Sequence, residues 1–186
     1  MFSALSSRRR FSDLSEQEVL ALAISSEEDD ASIYRTYAER LRKDFAASAA
    51  VFQGMAEEED NHRKRLIDLH IARFGEVIPL LRREHVAGFY ARRPVWLSQS
   101  LSLDTMRGEA ATMEKTAHDF YVRAAARTQD AATRKLLGDL AAAEARFAEL
   151  RDHFGDKVAL VHGQLRPEIK DAAMERFVRG EAGLLV

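Results

Sequence analysis

Glu59 and His62 stand three residues apart within Glu57-Glu58-Glu59-Asp60-Asn61-His62, inside a stretch from about Ala47 to Arg73 that reads as an unbroken helix. Residues at that spacing are neighbours on one helix face. The face is otherwise apolar, since Phe52, Met55, Leu66 and Leu69 continue the same alternation of threes and fours. A carboxylate and an imidazole therefore enter a row suited to a core, where each needs a partner or a metal ion.

Three more carboxylates interrupt apolar rows elsewhere. A first helix is predicted from Ser15, with Glu18 closing a capping box, to about Arg42. Its inward row is Leu20, Ile24, Glu27, Ala31, Tyr34, Ala38, Leu41 and Phe45. The adjacent Glu28, Asp29 and Asp30 fall on other faces and are expected mostly at the solvated surface. A third helix, about Leu103 to Arg127, carries Leu103, Met106, Ala110, Glu114, Ala117, Tyr121 and Ala124. A fourth begins near Asp130, presents Leu137, Leu140, Glu144, Phe147, Leu150 and Phe154, and is expected to continue past Gly155 toward Val161. A last helix is predicted around Pro167 to Arg179.

The two halves repeat each other. Glu27 precedes Tyr34 by seven residues, Glu114 precedes Tyr121 by seven, and each pair is followed some thirty residues later by another inward Glu, Glu59 or Glu144. Packed side by side, two such hairpins aim four carboxylates and one imidazole at a common level. Between them, Glu76 to Ser102 contains Pro79, Gly88 and Pro94 and reads as a long, partly helical crossover. Its pairs Arg82-Arg83 and Arg92-Arg93 are read as solvated charge, with an anionic lipid surface or another subunit as alternatives. Its Phe89, Tyr90, Val95 and Trp96 offer a surface for a homodimer.

With 9 Gly and 3 Pro in 186 residues and 46% hydrophobic residues, the composition fits one all-α domain. The absence of cysteine removes disulfide frameworks and thiolate metal sites, so any metal must be held by carboxylates and histidines. A formal charge of −2 gives no general pull toward nucleic acid. No secretory signal and no membrane-spanning run is read from the sequence, so the chain as written is expected to be soluble.

Four carboxylates buried together without a counterion would have to protonate. A pair of iron ions supplies the missing positive charge, and hard oxygen donors with one imidazole suit iron or manganese better than zinc, which remains a substitute. Carboxylates from two helices with Glu-x-x-His on the others is a di-iron arrangement of helical bundles. In that reading Glu59 bridges two metals, His62 binds one terminally, Glu27 and Glu114 cap or bridge, and Glu144 binds the second ion. Glu59, His62 and Glu114 are expected to carry the oxidation of Fe(II) by oxygen or hydrogen peroxide. Tyr34 and Tyr121 are expected to donate to carboxylate oxygens. His118, one turn beyond Glu114, is read as a supporting group, with direct ligation as the alternative. His70, His85, His153 and His162 lack a paired carboxylate at ligand spacing and are assigned structural roles.

These residues resemble the ferritin-like superfamily and, more closely, its rubrerythrin-like branch called erythrin. The runs Glu16 to Asp30, Met55 to His62, Phe74 to Leu80 and Gly88 to Pro94 look like the membrane-bound ferritins of proteobacteria, and the likeness covers about Arg9 to Phe154. The resemblance implies a ferritin-like four-helix bundle at the cytoplasmic face of the bacterial inner membrane. It also implies a covalently attached membrane domain similar to vacuolar iron transporters, acting in iron export and peroxide resistance. Residues 1–14 are then a tail, 15–162 the bundle, and 163–186 an extra C-terminal helix and tail leading toward that membrane domain, which this sequence does not include. One departure stands out: where the rubrerythrin pattern repeats Glu-x-x-His, this sequence has Glu144-Ala145-Arg146-Phe147, and Phe147 cannot ligate. The second metal position is therefore expected to be weaker. An iron sensor or chaperone that binds Fe(II) without turnover, and a structural dimerisation bundle, are the competing functions.

Overall fold

The computed structural model describes residues 8–87, 101–154, 158–159, 179 and 184–185, with side chains in the last long helix described as far as residue 145. Four helices make up the fold: α1 (Glu16–Leu41), α2 (Ala46–Phe74), α3 (Leu103–Arg127) and α4 (Ala131–Phe154). Strand β1 (Arg9–Arg10) precedes α1, β2 (Val86–Ala87) lies in the crossover, and β3 (Val158–Ala159) and β4 (Leu184–Leu185) follow α4. The architecture is the expected all-α four-helix bundle.

Helix α1 starts where its capping chemistry dictates. The Ser15 side chain accepts from the Glu18 backbone N–H, and the Glu18 carboxylate accepts from the Ser15 backbone N–H at 2.9 Å. Ser102 caps α3 by accepting from the Thr105 backbone N–H at 3.1 Å. Helix α2 ends at Gly75, whose φ of 86° is a conformation that glycine alone adopts without strain.

Packing joins α1 to α2 and α3 to α4 as hairpins, with α1 against α3 and α2 against α4 between them. Helices α1 and α3 run antiparallel, because Glu27 meets Tyr121 while Tyr34 meets Glu114, rising numbers on one matching falling numbers on the other. The predicted inward row of α1 is buried from Leu20 to Leu41. Phe45 departs from it: the helix has ended, and the ring sits half-exposed at the turn into α2.

The apolar core is divided. One cluster gathers Leu20, Leu22 and Ile24 of α1 with Leu66, Phe120, Tyr121, Leu137 and Leu140. The other gathers Tyr34, Tyr37 and Leu41 with Phe52, Met55, Met106 and Met113. Between them, on every helix, lies the level of Glu27, Glu59, His62, Glu114 and Glu144, all buried.

Three local expectations are corrected. Helix α4 stops at Phe154 instead of continuing toward Val161, and Val158–Ala159 is extended, pairing in parallel with Leu184–Leu185, which had no expected place in the fold. Gly155 follows the last helical residue, and glycine is a poor helix former. Of residues 1–14, read as a tail, the described part packs on the bundle: Arg9–Arg10 pairs in parallel with Val86–Ala87, Phe11 and Leu14 are buried, and Arg127 donates to the Phe11, Ser12 and Leu14 carbonyls. The Arg82-Arg83 pair is not solvated charge. Arg83 is partly buried and donates to both oxygens of Asp30, at 2.9 and 2.6 Å, and to Ser26 Oγ at 2.9 Å, while Arg82 pairs with Asp29 at 3.1 Å. Asp30, placed at the surface by helix register, is therefore buried, because a cation arrives from the crossover to meet it. The predicted helix at 167–179, the pair Arg92-Arg93 and the apolar Phe89, Tyr90, Val95 and Trp96 lie outside the described residues.

Candidate metal centre

Each helix contributes to the buried polar level through the positions that interrupt its apolar row. Glu27 comes from α1, Glu59 and His62 from α2, Glu114 from α3 and Glu144 from α4, and each is no more than 6% exposed. His62 Nδ1 lies 3.3 Å from Glu59 Oε2, 3.3 Å from Glu144 Oε1 and 3.7 Å from Glu27 Oε2. These same four atoms are buried and lack a hydrogen-bond partner among the described residues. Ligand atoms of the four residues all fall within 4.8 Å of one another. Four buried polar atoms facing one point without satisfying each other is costly in a protein interior. A cation at that point satisfies all of them.

Glu114 borders this group but is not part of it. Its Oε1 accepts from the Tyr34 hydroxyl at 2.5 Å, and the Tyr121 hydroxyl donates to Glu27 Oε1. Burial, reinforced by the charges of Glu114 and Glu27 respectively, pushes both phenols well above their ordinary pKa. They remain protonated donors, each fixing one carboxylate oxygen and leaving the other directed elsewhere.

The ionisation states follow from crowding. Burial and the charges of Glu27 and Glu144 push the Glu59 carboxyl well above the usual range. Burial and Glu144 do the same to Glu114, with Glu58 adding to it, and burial raises Glu144. Burial opposes ionisation of Glu27 as well, but the adjoining Glu59 carboxyl, His62 and Tyr121 hold it down at about 2. For His62, burial disfavours the imidazolium, yet Glu144, Glu27 and Glu59 outweigh it and raise the pKa well above its ordinary value. Left to itself the level retains protons, with the low-lying Glu27 carboxylate facing the His62 imidazole whose pKa is raised. Bound cations would displace those protons.

The level opens to solvent through a cleft lined by Met55, Glu58, Glu59, His62, Glu114, Ala143 and Glu144. A second void on another flank is lined by Ser26, Glu27, Arg83, Thr116, Ala117, Phe120 and Tyr121.

The structure thus brings Glu27, Glu59, His62, Glu114 and Glu144 to one level and sets Tyr34 and Tyr121 against it. His118 Nδ1 is 2.9 Å from the Ala141 carbonyl, joining α3 to α4. His70 has the structural role assigned to it, with Nδ1 3.1 Å from the Gly75 carbonyl at the end of α2. The Phe147 side chain lies outside those described. Asp30 and Arg83, beside Glu27, were not foreseen; no spacing rule connects residues 53 apart across an irregular crossover.

Compared with known families, residues 18–152 match the family described as Rubrerythrin. No curated protein and no solved structure matches the chain.

Proposed function

Because this chain belongs to the rubrerythrin family, we propose that its buried level holds a pair of iron ions and that it oxidises Fe(II) with oxygen or hydrogen peroxide. The observation that carries the reading is the convergence of Glu27 Oε2, Glu59 Oε2, His62 Nδ1 and Glu144 Oε1, buried and mutually unsatisfied. Oxygen donors in this proportion suit a hard cation, iron first, with manganese or zinc as substitutes. When bound, the iron pair supplies two-electron redox chemistry at this level of the bundle.

The side chains divide the remaining work. His62 offers Nδ1 as a neutral donor once its proton leaves, and Glu59, three residues before it, presents a carboxylate to the same point. Glu27 is already ionised and needs no proton removed. Glu114 reaches the level from α3, held by Tyr34. Among the described residues, two apolar clusters flank the level above and below. Carboxylate donors favour the higher charge of Fe(III), which assists the oxidation.

Attachment to a membrane transporter domain at the cytoplasmic face of the inner membrane, with a role in iron export, belongs to the same proposal. It rests on the sequence likeness between Arg9 and Phe154. Assembly as a homodimer is proposed with it. Among the described residues, no helix is long and apolar enough to cross a membrane.

A second reading, capture of Fe(II) without turnover as a sensor or chaperone, is favoured by Phe147, which has no donor atom one turn after Glu144. Anaerobic Fe(II) titration of the chain and of Glu59→Ala, followed by exposure to oxygen or peroxide, separates the readings. Two irons per chain with rapid appearance of ferric absorbance, both lost in Glu59→Ala, is the result expected of the oxidase. Tight binding without oxidation would assign the chain to the sensor, and binding indifferent to Glu59 would end the metal reading altogether.

A further inference from the structure

Away from the metal level, a third cavity lies at the end of the bundle where α1 begins, α3 finishes and α4 starts. It holds about 110 Å³, against about 10 Å³ for the cleft and about 10 Å³ for the void beside Glu27. Leu14, Val19, Leu20, Ala124 and Leu137 form its apolar wall, and all are buried. The polar groups on its lining are already engaged. Arg73 and Thr128 donate to Glu16, Thr133 donates to Asp130 at 2.8 Å, and Arg127 donates to backbone carbonyls of residues 11–14. Water held in a cavity needs several polar partners, so this one favours an apolar guest.

The cavity also lies in line with the metal level. On α1, Leu20 is followed by Ile24 and then Glu27; on α4, Leu137 is followed by Leu140, Ala141 and Glu144. On α3, Ala124 leads back through Tyr121 and Ala117 to Glu114. The side chains between wall and carboxylate all belong to one apolar cluster. Two helical turns, roughly 10 Å, separate Leu20 from Glu27. We propose that this cavity takes up dioxygen and that the apolar cluster passes it to the metal level, leaving the carboxylate-lined cleft to the cation. Dioxygen is uncharged and apolar and gains by leaving water for such a wall, whereas a cation loses by the same transfer. The inference deepens the function proposed above and rests on its oxygen-driven branch.

Xenon, an apolar atom that occupies cavities of this kind, is the probe. Under xenon pressure the methyl resonances of Leu14, Leu20 and Leu137 should shift saturably, and those of Leu41 in the other cluster should not. Ala124→Leu and Val19→Phe fill the cavity from α3 and from α1 and should abolish the response. With Fe(II) supplied, both should raise KM for oxygen by about fivefold or more while kcat at saturating oxygen and the rate with hydrogen peroxide stay at the parent's values. Circular dichroism and Co(II) binding verify the fold and the metal level in each variant. Methyl resonances indifferent to xenon in the parent chain would overturn the proposal. So would an unchanged KM for oxygen in both filled variants, or oxidation by peroxide alone. Bound iron that neither oxidant oxidises would instead refute the oxidase reading, and this inference with it.

Discussion

Tyr34 on α1 donates to Glu114 on α3, and Tyr121 on α3 donates back to Glu27 on α1, so each hairpin fixes the other's carboxylate. The exchange follows from two Glu-to-Tyr spacings of seven on antiparallel helices. It ties the hairpins together at the level of the site. In Tyr34→Phe, Glu114 Oε1 stays buried without its donor, which should cost about 1–3 kcal/mol of stability. Metal affinity should drop by about tenfold or more as the carboxylate loses its orientation. Chemical denaturation and Co(II) titration of Tyr34→Phe and Tyr121→Phe measure the two effects; unchanged affinity in both would mean the phenols only pack.

Metal binding should strengthen as pH rises. The Glu59 and Glu114 carboxyls and the His62 imidazole all hold protons above their ordinary ranges, and each must lose its proton to ligate. Titration in weakly buffered solution should show protons released on Co(II) addition. Affinity that stays flat between about pH 5 and 8 would contradict this account of the level.

Without bound cations, the same shifts make the level a weak point of the fold. Raised pKa values at Glu59 and Glu114 mean that the folded chain holds protons that the unfolded chain releases. Stability from these groups therefore falls as pH climbs from the ordinary carboxyl pKa toward the raised ones. Glu27 acts oppositely: its contribution is present above the ordinary carboxyl pKa and is lost as pH falls toward about 2. Replacing Glu114 by Gln, which is neutral at every pH, should stabilise the metal-free protein near neutrality by about 1–3 kcal/mol while reducing the stabilisation gained from metal. Thermal melts with chelator and with Co(II) give both quantities. A lower melting temperature for Glu114→Gln in chelator would refute the charge argument.

Arg83 supports the site from outside it. Arg83→Ala removes the cation that meets buried Asp30 beside Glu27, and about 3–5 kcal/mol of stability should be lost. Arg83→Met with Asp30→Leu should recover most of that loss, since the pair is then removed together. Equal destabilisation of the single and double variants in urea would show that packing, not charge, holds the crossover.

What was legible from the residues was periodic. The Ser15 and Glu18 box, the α1 row from Leu20 to Leu41 and the Glu positions that interrupt the four rows all obey helix spacing, which needs no knowledge of the partner. The Glu–Tyr repeat also pointed to hydrogen bonding, though not to its exchange between helices. Asp30 was misplaced because its burial depends on Arg83, and such a contact is set by a crossover with no period. The His118 contact is not legible for a related reason: one turn from Glu114 on its own helix, the ring bonds across to the α4 backbone. The end of α4 at Phe154 is hidden by apolar residues that recur beyond Gly155, where Val158–Ala159 is a strand.

The division of the core into two apolar clusters bears on how the bundle opens. A helical bundle ordinarily frays from its ends, where the backbone is least buried. Here the ends hold the aromatic and leucine-rich packing, and the middle holds charges that an ion must neutralise. Amide hydrogens near Glu27, Glu59 and Glu114 should thus exchange with solvent deuterium sooner than those near Leu20 or Phe52 in the metal-free chain, and the order should invert once the level is filled. The bundle breathes at its waist, and its cargo is what stills it.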